Sequence, residues 1–355
     1  MKARIIIGAN YGDEGKGTVV AKYSKQSDNC LNILTNGGSQ RGHTIVTEYG
    51  STTFKHFGSG TYYGADNYYS RFFILNPMQF VNEYKSLIIK PNKIYRDVNC
   101  MWSTPYDIAF NLITHHIDNK HNTCGMGIWN TIKRYRTTKT ITFDIFIANE
   151  ELAYKYLNDV KKYYETQLEI PESWKGAWDS TYLKSHFIED CKFFNEHTIP
   201  INNINDLNYD NLIFENGQGL LLSDRGKDEE DRTPSNTGIY DALEIIKDID
   251  KDIDVTAHYV TRPYLTRHGI GKLSNECLKG NITSDIKDDI NVYNEYQGCF
   301  RYGKLDIYDL YRRVLSDVGN NINYELEVTH CDEIDRISEF KKIFKDINVI
   351  DKPFI

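Results

Sequence analysis

A short β-branched run, Arg4 to Ile7, leads through Gly8 into Gly12-Asp13-Glu14-Gly15-Lys16-Gly17, and Thr18 to Lys25 then reads as the start of a helix. A buried strand, a glycine-rich loop and a helix in direct succession favour one fold class above others, an α/β sheet with an anion held where the loop meets the helix. Glycines let the backbone turn sharply and bring its N–H groups close to a charged oxygen. The helix N-terminus adds partial positive charge. Lys16 reaches phosphate oxygens as a point charge. The loop is not a Walker A sequence: Asn10 stands where that motif needs Gly, and Gly17 follows the lysine where it needs Ser or Thr. An acid at position 13 also sets it apart. Read alone, the loop is equally compatible with a tight turn carrying a surface lysine.

Further elements follow the same rhythm. Asn32 to Thr35 is a second strand candidate that ends in Gly37-Gly38. Asn76 is placed to cap a helix begun by Pro77, with Gln79 completing a capping box and Met78, Val81, Tyr84 and Ile88 at near-helical spacing. Leu152, Tyr156, Val160 and Tyr163 form another amphipathic stripe. Leu212 to Phe214 and Val255 to Thr261 read as buried strands, and Leu326 to Thr329 as the last. Strands alternating with helices predict an α/β fold with a largely parallel central sheet, flanking helices and a P-loop-like phosphate-binding loop. No repeat and no Pro/Ser/Gly-rich linker divides the chain, so residues 1–355 are expected to form a single domain with insertions. The acidic run Asp228-Glu229-Glu230-Asp231 is expected to be a solvated loop.

Composition narrows the partners. A net charge of −8 argues against nucleic acid. No apolar run approaches the roughly 18 residues of a membrane span, and the early run Ile5 to Ile7 is too short for a secretory h-region. Seven cysteines, an odd number with no CxxC pair, suggest reduced thiols in a cytoplasm and no zinc site or disulfide framework.

The second strand is followed by Gly37-Gly38-Ser39-Gln40-Arg41-Gly42-His43-Thr44. In an open parallel sheet, loops after neighbouring strands meet at the carboxyl edge, where ligands bind. Asp13, Lys16 and His43 would then share one phosphate-lined pocket, with a carboxylate and an imidazole available as base and acid. Here the resemblance becomes specific. Gly12 to Gly17 resembles the GDEGKG signature of the adenylosuccinate synthetase family, and residues 37–44 resemble its GGxNAGHT. Glu215-Asn216-Gly217-Gln218-Gly219 resembles EGAQG, and Ser235-Asn236-Thr237 resembles SSNT. Thr266 to Gly271 resembles TRVGxG, Arg301 to Asp306 resembles RTGWLD, and Thr329-His330-Cys331-Asp332 resembles TKLD. The seven segments keep the family's order and span residues 12 to 332.

The resemblance implies a ligase that joins L-aspartate to the 6-position of a purine nucleotide. The N1 proton is removed, the 6-oxygen takes the γ-phosphoryl of a nucleoside triphosphate, and the amino group of L-aspartate displaces phosphate. It implies Asp13 as base and Mg²⁺ ligand, the Gly42 carbonyl as a second ligand, His43 as acid, Lys16 as phosphoryl stabiliser and Gln218 as holder of the 6-phosphoryl intermediate. Gly12, Glu14, Gly15, Gly17 and Thr44 would line the donor phosphates, and Asp332 would meet the donor base. Thr123, Cys124, Asn216 and Thr233 would grip the acceptor nucleotide. Arg136 from a second subunit would join them in a homodimer, with Ser39, Gln40 and His268 near base and sugar. Arg267 and Arg301 would bind L-aspartate.

Departures from the pattern bear on substrates. The basic aspartate loop GATTGRRRR is reduced to Gln297-Gly298-Cys299-Phe300-Arg301, and His268 stands where the family has Val. His330 replaces the lysine of TKLD, and the GPDRTE motif has no counterpart before Val349 to Ile355. These changes in a compact chain resemble the phage branch of the family, the 2-amino-2'-deoxyadenylosuccinate synthases of diaminopurine DNA synthesis. That branch takes dGMP in place of IMP, and this chain would be of its aspartate-retaining, archaeal-like kind. The donor is then ATP or dATP as readily as GTP. An IMP- and GTP-using adenylosuccinate synthetase is the alternative. An inactive nucleotide-binding regulator and a dethiobiotin-synthetase-like phosphotransferase are the rivals from outside this activity.

Overall fold

Ile5, Ile6 and Ile7 are all fully buried, as a strand covered on both faces requires. In the computed structural model, which describes residues 1–118, 123–223, 232–286, 293, 296 and 298–350, these residues lie in β1, Lys2–Gly8, near the centre of a nine-stranded sheet. The other strands, in chain order, are β2 Cys30–Leu34, β3 Asp66–Tyr69, β4 Ile94–Asp97, β5 Ile199–Ile201, β6 Asn211–Glu215, β7 Asp254–Thr261, β8 Asn323–Thr329 and β9 Ile347–Ile350. Their spatial order is β5-β4-β3-β2-β6-β1-β7-β8-β9, and every pairing is parallel. The chain builds outward from β1 to one edge, returns to fill the slot between β2 and β1 with β6, then builds to the other edge. Loops after β1, β2 and β6 therefore open side by side at the reversal of strand order, where parallel sheets bind ligands.

Alternation along β1 sends Ile5 and Ile7 to one face and Ile6 to the other. Ile5 and Ile7 pack with Leu310, Val314 and Val318 of helix Ile307–Val318, while Ile6 packs with Val19, Val20 and Tyr23 of helix α1, Lys16–Lys25. Between β4 and β5 the chain inserts six helices, Pro105–Asp118 through Thr181–Glu196, with a separate aromatic-rich core around Trp102, Phe143, Phe146 and Phe194. Arg96, fully buried at the end of β4, anchors this insert through Asp144 Oδ1 and Oδ2 at 2.6 and 2.9 Å.

Several expectations need correction. Asn76 caps helix Pro77–Ser86 by accepting from the Gln79 amide at 3.1 Å, but the Asn76 amide donates to His56 Nε2 at 3.0 Å, so no reciprocal capping box forms. Ile88 lies beyond that helix and is 96% exposed. In helix Glu150–Glu165 the fully buried stripe is Ala153, Tyr156, Leu157, Val160 and Tyr164; Leu152 and Tyr163 are half-buried at its margins. The strand at Leu326 is not the last, because β9 pairs beyond it. The expected solvated loop at Asp228–Asp231 lies outside the described residues, as do Gln297 and residues 351–355.

A fully buried ion pair also braces the insert. Arg134 donates to both Asp107 oxygens, through Nε at 2.8 Å and Nη2 at 2.9 Å, and to the Tyr156 hydroxyl at 2.7 Å. Both charged side chains are fully buried. Replacing Arg134 with Met would leave the Asp107 carboxylate buried without its cation, so Arg134→Met should lose about 3–5 kcal/mol in urea denaturation.

Candidate functional site

The loop after β1 is shaped by its own carboxylate. Glu14 is buried; its Oε1 accepts from the amides of Asn10 at 3.0 Å and Gly12 at 2.8 Å, and its Oε2 from Lys16 Nζ at 3.1 Å. Gly12 and Gly15 are left-handed at φ 104° and 93°, and so is Asp13 at φ 59°, an uncommon state for a residue with a Cβ. Asp13 thereby projects its carboxylate from the loop, 36% exposed, while Lys16 behind it is buried. Glu14 thus serves as internal counter-ion to Lys16. Arg313 clamps the start of the loop, donating to Ala9 O at 2.8 Å and Asn10 Oδ1 at 2.7 Å.

The loop after β2 crosses over α1. A Cβ on Gly17 would stand 3.1 Å from His43 Cβ, so the helix start and the histidine touch only because residue 17 is glycine. His43 begins an antiparallel hairpin, His43–Thr47 with Gly50–Phe54. Its Nδ1 donates to Glu215 Oε1 at 2.5 Å, which leaves Nε2 for a ligand. Glu215, the last residue of β6, also accepts from Ser59 N at 2.9 Å and Ser59 Oγ at 2.7 Å, and Arg41 Nη2 stands 3.7 Å away. Burial, with help from the Arg41 and Lys16 charges, pulls the His43 imidazole down to about 4, against the Glu215 hydrogen bond. Burial would raise the Glu215 carboxyl, but Arg41, His43 and Ser59 together hold it at about 2.

Gln218, left-handed at φ 60°, follows on the β6 loop and lies over Gly12, whose added Cβ would meet Gln218 Cα at 3.6 Å. Its Oε1 is buried without a protein hydrogen bond, as a ligand-facing amide would be. Asn216 turns away and braces the carbonyls of Thr237 and Gly238 at 3.2 and 2.7 Å. Cys124 feels Asp13: burial first, then the Asp13 charge, pushes its thiol up to about 11. Thr123 beside it donates to Asn111 Oδ1 at 2.7 Å. His268 Nε2 stands 3.7 Å from Asp13 Oδ2, and its ring packs on Phe300 at 4.5 Å between centroids. Asp13, Lys16, His43, Gln218, Cys124 and His268 thus form one cluster at the carboxyl edge.

Other expected residues are placed differently. Ser39 is buried and accepts from Asn76 Nδ2 at 3.2 Å, and Gln40 folds back over Gly37, where its Nε2 would lie 2.8 Å from an added Cβ. Gly42 is exposed, and Thr44 pairs with the Thr53 hydroxyl at 2.8 Å. Thr233 is buried with its amide on Leu222 O at 2.9 Å. Arg136 is exposed, its guanidinium 6.0 Å over the Trp129 ring. Arg267 is buried over Tyr11, and Asp332 is exposed. Arg301 donates to both oxygens of Glu276, at 2.8 and 2.6 Å, and to the carbonyls of Gly269 and Gly271. Sequence reasoning passed over Glu215, although it sits in a quoted segment; an acid ending a strand of buried residues was the available signal. Arg41 and Arg313 carried none.

Asp13 and the Gly42 carbonyl are hard oxygen donors of the kind magnesium takes. A different group, His258, Glu325 and Glu327, also has metal-ligand spacing. It lies beneath α1, where Tyr23 donates to Glu327 at 2.6 Å, Asn348 donates to both carboxylates, and Lys22 stands 3.7 Å from Glu327. Those hydrogen bonds and one cation already engage it, and its residues come from within β7 and β8 rather than from the loops after β1, β2 and β6.

Residues 5–344 match the protein family described as adenylosuccinate synthetase. The adenylosuccinate synthetase of Blochmanniella pennsylvanica is 24% identical over 308 residues, spanning 78% of this chain and 67% of that protein. That of Borrelia recurrentis is 23% identical across 96% of this chain and 86% of its own length. The fold is similar to fully ligated adenylosuccinate synthetase from Plasmodium falciparum, at TM-score 0.73 and 18% identity, over 95% of this chain and 78% of that one. It is also similar to succinoaminodeoxyadenylate synthetase of cyanophage S-2L, solved with dGMP and with dATP as energy donor. There the TM-score is 0.65 and the identity 13%, over 98% of this chain and 91% of that one.

The His43–Glu215 pair generates a pH dependence. Both folded-state values lie below their unfolded ones, so the unfolded chain binds more protons and acid destabilises the fold. For His43 the stabilisation is complete above its unfolded value of ~6.5 and is lost as pH falls towards about 4. Between pH 7 and pH 5 the wild type should lose about 1–2 kcal/mol more than His43→Asn, measured as urea midpoints. Equal losses in the two proteins would contradict the assignment.

Proposed function

The chain belongs to the adenylosuccinate synthetase family, carbon–nitrogen ligases that join aspartate to a purine nucleotide, and we propose that its preferred acceptor is dGMP. The product is then 2-amino-2'-deoxyadenylosuccinate. In this reading Asp13 removes the N1 proton of guanine. The 6-oxygen then attacks the γ-phosphorus of the donor, breaking its bond to the β,γ-bridging oxygen and releasing the nucleoside diphosphate, and the amino group of L-aspartate displaces phosphate from C6. Lys16 and the loop amides stabilise charge on the transferring phosphoryl. Bound Mg²⁺, held by Asp13 and the Gly42 carbonyl, would supply further neutralisation of phosphate charge. His43, oriented by Glu215, presents Nε2 to the donor; negative phosphate oxygens there favour the protonated ring and make it an acid. The unpartnered Gln218 amide holds the 6-phosphoryl group.

The observation that carries the acceptor reading is His268. Its ring stands beside Asp13 and is wedged against Phe300, on a segment whose family counterpart carries a small aliphatic side chain. An imidazole there fills the space of a 2'-hydroxyl or leaves it without a partner, and an unmet polar group costs roughly 1–3 kcal/mol. The cyanophage enzyme, similar over 98% of this chain, was solved with dGMP. His330 in place of a lysine removes one donor-site cation, so ATP and dATP should serve as well as GTP.

An assay matrix of IMP, GMP and dGMP against ATP, dATP and GTP, with L-aspartate and Mg²⁺, tests this. dGMP should outcompete IMP by about tenfold or more, and His268→Val should narrow the gap. Predominant conversion of IMP would defeat the acceptor reading. Asp13→Ala should lower turnover by ~10²–10⁴-fold.

In the same reading the exposed Arg136, its guanidinium over the Trp129 ring, completes the acceptor phosphate site of a second copy. Light scattering should give a dimer at assay concentration. A fully active monomer would refute the shared site.

A further inference from the structure

Asp13 holds a left-handed backbone, uncommon for a residue with a Cβ although aspartate adopts it more readily than most. The neighbouring glycines permit the turn but do not fix it. The fixing contact comes from the end of β7: Arg262 Nε donates to the Asp13 carbonyl at 2.7 Å. Arg262 is itself buried, and its Nη1 donates to the Tyr264 hydroxyl at 3.0 Å. That hydroxyl donates in turn to the Glu333 carboxylate, and Tyr264 and Glu333 are buried too. The guanidinium lies 5.7 Å over the rings of Tyr264 and Phe300, which limits its swing. Glu333 follows Asp332 directly and donates its amide to the His330 carbonyl at 3.2 Å, so it is part of the turn after β8.

We propose that Arg262 is the positioning residue for Asp13, and that Tyr264 and Glu333 couple that position to the loop carrying Asp332. The Asp13 peptide sets the direction of its carboxylate, and Arg262 sets the peptide. Three successive hydrogen bonds through buried side chains then connect the loop that the family reading assigns to the donor base with the carboxylate that takes the acceptor proton. A donor base that seats the 330–333 turn would tighten the Arg262 clamp, and so bring Asp13 into line when the donor is bound. Arg262 touches no reacting atom; it acts through Asp13, and the proposal rests on the reading of Asp13 as base.

The test is steady-state kinetics on Arg262→Met, Arg262→Lys, Tyr264→Phe, Glu333→Gln and Asp13→Ala, with melting temperatures alongside. Arg262→Met should lower kcat about a hundredfold, the scale of a small misplacement of a reacting group. KM values for acceptor and L-aspartate should stay within about threefold, since uniform binding is untouched. Arg262→Lys should recover part of kcat. Tyr264→Phe and Glu333→Gln should each lower kcat, and their combination should lose little beyond the larger single loss, as links of one chain do. A folded Arg262→Met or Tyr264→Phe protein with wild-type kcat would overturn the proposal, as would losses confined to the donor KM. If Arg262→Met does not fold, the lysine and phenylalanine variants decide by the same criteria. Should Asp13→Ala turn over normally, the base assignment falls and the coupling with it. An inactive Asp13→Ala beside an unimpaired Arg262 variant removes the coupling alone.

Discussion

The carboxyl edge of the sheet depends on a carboxylate that no solvent reaches. Glu215 ends β6, the strand that closes the gap between β1 and β2, and it gathers His43, Ser59 and Arg41 around itself. A buried carboxylate is tolerable only when surrounded by donors and cations. Meeting that demand fixes the hairpin at residues 43–54, the short turn beginning at Ser59 and the arginine of the glycine-rich second loop. Every segment that reaches the pocket from the β2 side is anchored to this acid. The geometry of the proposed site and the stability of the sheet centre are therefore one set of contacts.

On the β1 side the same economy appears with the signs exchanged. Backbone amides at Asn10 and Gly12, together with Lys16, make an anion-binding concavity. Glu14 occupies it from within and balances the Lys16 charge. Asp13 is left as the acid that faces outward, and Thr329 donates to the Glu14 carbonyl at 2.6 Å, so β8 also supports the loop. Neighbouring acids take opposite parts: Glu14 accepts from two backbone amides and from Lys16, whereas Asp13 faces His268 at 3.7 Å.

How much of this was legible in the sequence depended on whether a residue's role lies in its pattern or in its partner. Ile5 to Ile7 followed by spaced glycines announces a buried strand and a phosphate loop, because apolar runs and positive-φ turns leave few other solutions. β3 was missed because Asp-Asn-Tyr-Tyr looks like a turn. Asn67 is nevertheless fully buried there, since its side chain satisfies Gly58 N and Thr61 Oγ1. The cluster of Asp13, Lys16, His43 and Gln218 was legible because parallel-sheet topology brings those loops together. The directions in which Ser39 and Asn216 point were not, since each is claimed by a residue distant in sequence, Asn76 or the 237–238 backbone. Arg301 is the sharpest case. A basic residue in a family segment suggests a substrate carboxylate, whereas the fold supplies one of its own in Glu276.

The late insertion of β6 has a consequence for how the molecule comes into being. A ribosome emits β1 through β5 before residue 211, and all that time β1 and β2 have no neighbour to join them. At about 5–20 residues per second the wait lasts roughly 10–40 s. Throughout it, the strand carrying Ile5 to Ile7 displays unpaired amides and apolar faces on both sides. The helical insert can consolidate early, since its contacts are nearby in sequence, but the edge where the loops after β1, β2 and β6 meet cannot. The nascent chain thus passes through a long stage with its stickiest edge uncovered.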